Sequence, residues 1–172
     1  MMLRMWRFLT IVLAALALTM TSAHVLELPQ KMQYEAQLYA AVNTTMYRYF
    51  AIVGGVYAMG SIVAAVVLAF LVRNHRRPFR WALAGAMLLV LWFVSWLWLV
   101  APVNNQVAAA LQSAPESVPG LWMRLRERWE YGHVTGFVIQ LLGFSALVIS
   151  VIIETPGRVV SNQRQVPGQD WD

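Results

Sequence analysis

The 172-residue chain contains no cysteine. Disulfides, thiolate metal ligands and cysteine nucleophiles are thereby excluded, and cysteine usage says nothing of the redox compartment. Charge is scarce as well. Asp, Glu, Lys and Arg together make up 12% of the residues, where a soluble domain carries about 25%. So few charges would leave a water-facing surface under-polar, which argues against a soluble enzyme, a disordered tail and a nucleic-acid-binding domain. The net charge of +5 does not reopen the nucleic-acid reading, because the basic residues flank apolar stretches. No Gly-rich phosphate loop, nucleophile elbow or c-type haem attachment occurs.

What the chain has is apolar length: 59% of it is hydrophobic. About 20 consecutive apolar residues cross a bilayer core as a helix. Phe8 to Ala23, Tyr49 to Val72, Trp81 to Val103 and Val134 to Ile153 are free of charge. In lipid the backbone must satisfy its own hydrogen bonds, so each stretch is expected to be helical. The predicted fold is an all-α integral membrane protein, a four-transmembrane-helix up-down bundle over residues 1–154. Its spans fall at about 6–26, 49–73, 81–103 and 121–154. Residues 155–172, with Pro156, Gly157, Pro167 and Gly168 and little to bury, read as a mobile cytoplasmic tail.

Orientation follows the arginines. Arg4, Arg7, Arg73, Arg76, Arg77, Arg80, Arg158 and Arg164 share one side. On the other side Lys31, Arg48, Arg124, Arg126 and Arg128 are balanced by Glu27, Glu35, Glu116, Glu127 and Glu130. Positive-inside logic puts both termini in the cytoplasm and residues 27–48 and 104–132 on the outer side. The first span also resembles a secretory signal, with Thr21-Ser22-Ala23 as an A-x-A-like site, whose cleavage would leave His24 as the amino terminus.

Between spans one and two, apolar residues recur at helical spacing from Pro29 to Arg48, which predicts a short amphipathic helix at the outer interface, Pro29 in its first turn. Asn43-Thr44-Thr45 is formally a glycosylation sequon but reads better as a helix end or turn. Pro102-Val103-Asn104-Asn105 is expected to bend the chain, Gln106 to Leu111 to form a small helix, Ser113 to Gly120 a loop, and the helix from Leu121 to run unbroken into span four. Small residues suit packing in lipid: Gly54, Gly55, Ala58, Gly60, Ser61 and Ala64 in span two, Gly132, Gly136 and Gly143 in span four. Trp92, Trp96 and Trp98 in span three read as interface belt and core filler, with an aromatic wall for a flat ligand as the alternative.

Ionisable groups at membrane depth are functional candidates. Two clusters fall at the outer end. His24 and Glu27 are three apart and share a helix face. Arg126, Glu130 and His133 share another, continued by Gln140. H-x-x-E on one helix mirrors E-x-x-H on another, and paired Glu-x-x-His motifs in four-helix bundles hold iron or manganese. His24, Glu27, Glu130 and His133 are therefore candidate ligands for a single transition metal ion, iron, copper, manganese or zinc. Other readings use the same residues. Arg126 and Glu130 can simply pair, and the histidines can hydrogen-bond a carbonyl or Asn104. Alternatively His24 or His133 can act as a general base while Asn104, Arg126 or Trp129 stabilises an oxyanion.

Ala23-His24-Val25-Leu26-Glu27-Leu28-Pro29, the Pro102-Val103-Asn104 step, and Trp122 with Arg126, Trp129 and His133 resemble a widespread group of small four-span membrane proteins. The group was long catalogued as a domain of unknown function and includes the fungal anthrone oxygenases, which oxidise anthrones to anthraquinones with molecular oxygen. The resemblance runs over nearly the whole chain in span order and loop placement, and implies the fold more strongly than the reaction. On that likeness Asn104, Arg126, Trp129 and His133 are the positions carried over. The expected function is thus an oxidoreductase or oxygenase-like membrane protein acting on a small apolar or aromatic molecule at the outer end. A non-catalytic accessory subunit of a larger membrane complex is the alternative. Expected partners are membrane lipid, such a substrate, and other membrane subunits or further copies of the chain; nucleic acid is not among them.

Overall fold

The computed structural model describes residues 1–154, the side chains of Arg48 and Glu154 apart. The expected tail, 155–172, lies outside the described residues. Six α-helices follow in order: α1 (Met2–Lys31), α2 (Ala36–Thr45), α3 (Arg48–Leu71), α4 (Arg76–Leu99), α5 (Ala101–Ser113) and α6 (Val118–Glu154), with a 3-10 turn at Pro115–Ser117 before α6. There is no strand among the described residues. Four of the helical stretches are long and apolar enough to cross a membrane. The protein is an integral membrane four-helix bundle.

The four long helices close into a ring. α1 packs on α3 and α6, and α4 packs on α3 and α6, so α1 and α4 sit on opposite corners. Helix α6, with 37 residues, is roughly 55 Å long at 1.5 Å per residue. That exceeds a hydrocarbon core of about 30 Å; the end of the bundle away from the amino terminus is called here the distal end.

Two apolar clusters hold the bundle. The one inside the membrane is built largely from small residues, Ala14, Ala17, Ala58, Ala65, Ala82 and Ala86, around Leu68, Leu89 and Leu147. Lipid does not drive helices together, so close packing of small residues must. Gly85 of α4 meets α6 most tightly: a Cβ there would stand 2.7 Å from Leu147 Cγ and 3.0 Å from the carbonyl oxygen of Gly143. The Gly132-x-x-x-Gly136 pair also faces α4, against Val100, Leu99 and Trp92. The second cluster lies at the distal end and is aromatic and β-branched: Tyr39, Tyr47, Val100, Val103, Val107, Trp122 and Trp129.

Several local expectations shift. Pro29 does not open a new helix; it lies inside α1, which runs on to Lys31. A proline near a helix end removes only one late hydrogen bond, and the extra turns are held by burial of Lys31. The amphipathic helix shrinks to α2, where Asn43 is buried and donates from Nδ2 to the Tyr39 carbonyl at 2.8 Å. Pro102 falls in the first turn of α5, which its fixed φ suits, so the helical run breaks only at Val100, itself in αR conformation, and resumes at Ala101. The expected Ser113–Gly120 loop shrinks to Ala114 and the 3-10 turn, Ser113 ending α5, and α6 begins at Val118 and runs unbroken to Glu154.

Candidate functional site

His24 on α1 and His133 on α6 meet at the distal end. Their rings stack at 3.9 Å between centroids with 24° between planes. Both are buried. No hydrogen bond joins either imidazole to a described protein group, and His24 Nδ1 is enclosed without a partner. The carbonyl or Asn104 hydrogen bonds considered from the sequence are not formed: Asn104 Oδ1 instead accepts from Trp129 Nε1 at 2.8 Å.

Aromatic rings enclose the pair. Trp129 stands edge-on to His24 at 5.0 Å and to His133 at 4.4 Å. Tyr47, at the start of α3, lies 4.7 Å from His24, and Phe50 lies 5.8 Å from it. Helix α6 supplies both Trp129 and His133 because residues four apart share a face.

The charged residues form a layer beside this pair. Lys31 Nζ lies 2.8 Å from Glu130 Oε1, with both side chains almost fully buried. The ammonium also sits over the rings of Tyr47 and Trp129, 4.7 and 4.6 Å from their centroids, a favourable contact for a desolvated cation. Tyr39 Oη donates to the same Glu130 oxygen at 2.8 Å, and Tyr47 Oη donates to Glu27. Burial and the adjacent Glu130 carboxylate hold the Tyr39 phenol well above its ordinary value, so it remains a donor.

Arg126 does not pair with Glu130. Its Nη1 donates to the Tyr34 carbonyl at 3.1 Å, and its guanidinium faces the Tyr39 ring. The cause is Lys31, which reaches Glu130 from across the helix interface. Lys31 was not singled out in the sequence because Pro29 seemed to separate it from α1. On a continuous helix Glu27, Lys31 and His24 fall at i, i+4 and i−3, which places all three along one face. Tyr39 and Tyr47 were also missed; as ring-bearing residues in an interfacial helix they carried no distinguishing signal.

The four ligand candidates are thus gathered at one end but otherwise engaged. Glu130 is bound by Lys31 and Tyr39, Glu27 by Tyr47, and the two imidazoles face each other ring to ring. Among the described residues no group of three or more His, Asp or Glu could hold a metal ion.

A cavity of about 380 Å³ opens beside the histidines, between the two apolar clusters. Its walls are Thr21 and His24 of α1, Asn43 and Thr44 of α2, Tyr47 before α3, and Phe50, Ala51, Gly54, Gly55 and Ala58 along α3. Trp92, Phe93 and Trp96 of α4, Asn104, Ala108 and Leu111 of α5, and Trp122, Trp129 and His133 of α6 line it as well. Trp92 and Trp96 thus form the aromatic wall, while Trp98 is exposed on the lipid side. Glu27, Lys31, Arg126 and Glu130 are not among the lining residues. Below the cavity Thr21 Oγ1 donates to Gln140 Oε1 at 2.6 Å, tying α1 to α6. The site is therefore a mainly apolar, ring-lined chamber with two imidazoles, the Asn43 and Asn104 amides and two threonine hydroxyls in its wall, backed by a sealed ion-pair layer.

No family model, no curated protein and no solved structure matches the chain.

Proposed function

We propose that the chain is an oxygenase-like membrane oxidoreductase that takes a small, flat, apolar molecule into the distal cavity. One observation carries the reading: two buried imidazoles, free of protein hydrogen bonds, stand in the wall of a mainly aromatic and aliphatic chamber whose other polar groups are the Asn43 and Asn104 amides, the Thr21 and Thr44 hydroxyls and Tyr47. Sites of this make-up bind small molecules by apolar contact and orient them with a few polar groups. The arginine asymmetry puts this end on the outer side of the membrane and both termini in the cytoplasm.

A neutral imidazole accepts a proton from an acidified C–H or O–H of the bound molecule. Trp129 fixes the Asn104 amide through its Oδ1, leaving the amide N–H groups of Asn104 for an oxyanion. Glu27, Lys31 and Glu130 act as positioning residues that hold Tyr47 and Trp129 against the imidazoles. The resemblance to anthrone oxygenases supplies the reaction class. A methylene flanked by aryl rings reacts with molecular oxygen: two C–H bonds and the O–O bond break, one oxygen becomes the carbonyl, and the other leaves as water with both hydrogens.

The test is oxygen consumption by the purified protein in nanodiscs with an anthrone as substrate, together with formation of the quinone absorbance. His133→Ala and His24→Ala are expected to lower turnover on the order of 100-fold, the usual worth of a positioned general base. Turnover unchanged in both variants would remove the histidines from the chemistry, and absence of turnover in the native protein would remove the oxygenase assignment.

A further inference from the structure

The cavity reaches the surface on a flank of the bundle. Ile52, Val56 and Met59 of α3 are 59%, 67% and 48% exposed, and at i, i+4 and i+7 they make the helix stripe that faces lipid. Gly55 lies inside that stripe, is itself exposed, and lines the cavity. Ala51, one turn toward the distal end, does the same. A Cβ built on Gly55 would meet no atom within 4 Å, so the wall is open there. Ala108 and Leu111 of α5, in the segment beyond span three, are also exposed and also line the cavity. α5 packs on α4 and α6 rather than extensively on α3, which leaves the gap between them. Small residues alone would not make a site. Here they border a chamber that also contains His24, nine-tenths buried and with Nδ1 lacking any partner.

We infer that Ala51 and Gly55 form a lateral portal through which the ligand passes between the bilayer and the cavity. This rests on the reading of the cavity as a small-molecule site, and it narrows the substrate class. The molecule is one that dissolves in lipid and reaches the protein from the membrane rather than from water. It is slim enough to pass a glycine on edge, and its polar atoms are few. α3 carries no charged side chain from Tyr49 to Leu71, so nothing on this helix within the membrane detains an apolar molecule. The sealed ion-pair layer of Lys31 and Glu130 lies off the path.

The experiment uses the full chain in phosphatidylcholine vesicles with 1-aminoanthracene, a flat apolar fluorophore that partitions into lipid. Energy transfer from the cavity tryptophans reports its arrival. Gly55→Trp is expected to slow association on the order of tenfold, since obstruction acts on the on-rate. Val56→Trp, on the same lipid face but outside the cavity lining, is expected to keep the native rate. The native rate should follow the mole fraction of probe in the bilayer when lipid is varied at fixed total probe. Ala51→Trp serves as a second blocking variant, and melting temperatures of all three confirm that each is folded. Native association rates in both Gly55→Trp and Ala51→Trp would overturn the portal while leaving the cavity reading intact. Failure of the probe to bind the native protein at all would overturn both.

Discussion

The Lys31 ammonium and the Glu130 carboxylate, 99 positions apart in sequence, meet at 2.8 Å in an almost fully buried ion pair between α1 and α6. This pair organises the distal end. It draws Glu130 away from Arg126, fixes Tyr39, and sets a cation against the Tyr47 and Trp129 rings that border the imidazoles.

Removal of the cation leaves a buried carboxylate uncompensated. Lys31→Met is expected to cost about 3–5 kcal/mol, and the double variant Lys31→Met with Glu130→Leu to recover much of that, because breaking a buried pair is worse than replacing it with apolar groups. Denaturation of the three proteins in one detergent checks this. A double variant no more stable than Lys31→Met would show that the carboxylate is not the source of the loss.

Gly55 of α3 and Gly85 of α4 should respond oppositely to a methyl group. Gly85→Ala must displace Leu147 or the Gly143 carbonyl, an overpacking expected to cost about 1–3 kcal/mol. Gly55→Ala meets open space and is expected to leave stability unchanged or slightly raised, since alanine restricts the unfolded chain. Thermal melting of both variants in the same detergent decides the matter.

Thr21 and Gln140 connect α1 to α6 beneath the cavity by a side-chain hydrogen bond of 2.6 Å. Thr21→Val keeps the shape and removes the donor. The expected loss is modest, about 0.6 kcal/mol, the average for such bonds in a membrane protein. A loss above about 2 kcal/mol would mean that Gln140 has no alternative partner and that the bond is worth more than its kind usually is.

Alkaline pH should act through Tyr39. Its pKa is raised in the folded protein by burial and by the Glu130 carboxylate. The native state therefore keeps the phenolic proton where the unfolded chain, with an ordinary value of about 10, releases it. The stability this group contributes is fully present below pH of about 10 and is lost progressively above it. Tyr39→Phe lacks both the Glu130 hydrogen bond and this titration. The native protein is expected to be the more stable at neutral pH, with the difference shrinking as pH rises past about 10. Paired melting curves across that range test it, and a constant difference would assign no linkage to Tyr39.

The bundle was readable because lipid leaves the chain one local choice. Each uncharged stretch had to be helical, and span order followed from length. The helix faces holding His24 and Glu27, and Arg126, Glu130 and His133, were equally plain from spacing. Partnership was not. Whether Glu130 meets Arg126 on its own helix or Lys31 on another depends on the rotation of α1 against α6, a tertiary quantity with no local signature. Pro29 hid Lys31, since a proline ends most helices but here costs only one bond in the last turn. Gly85 was overlooked for a related reason. It is the one glycine of its span, flanked by Ala84 and Ala86, and its importance lies in how near α6 comes to it.

A cation that belongs to the polypeptide differs from one taken up from solution. It cannot be stripped by a chelator, and it needs no loading step after synthesis. The bridge between the first and last spans therefore closes as soon as those two helices dock, and it persists in any buffer that leaves the fold intact.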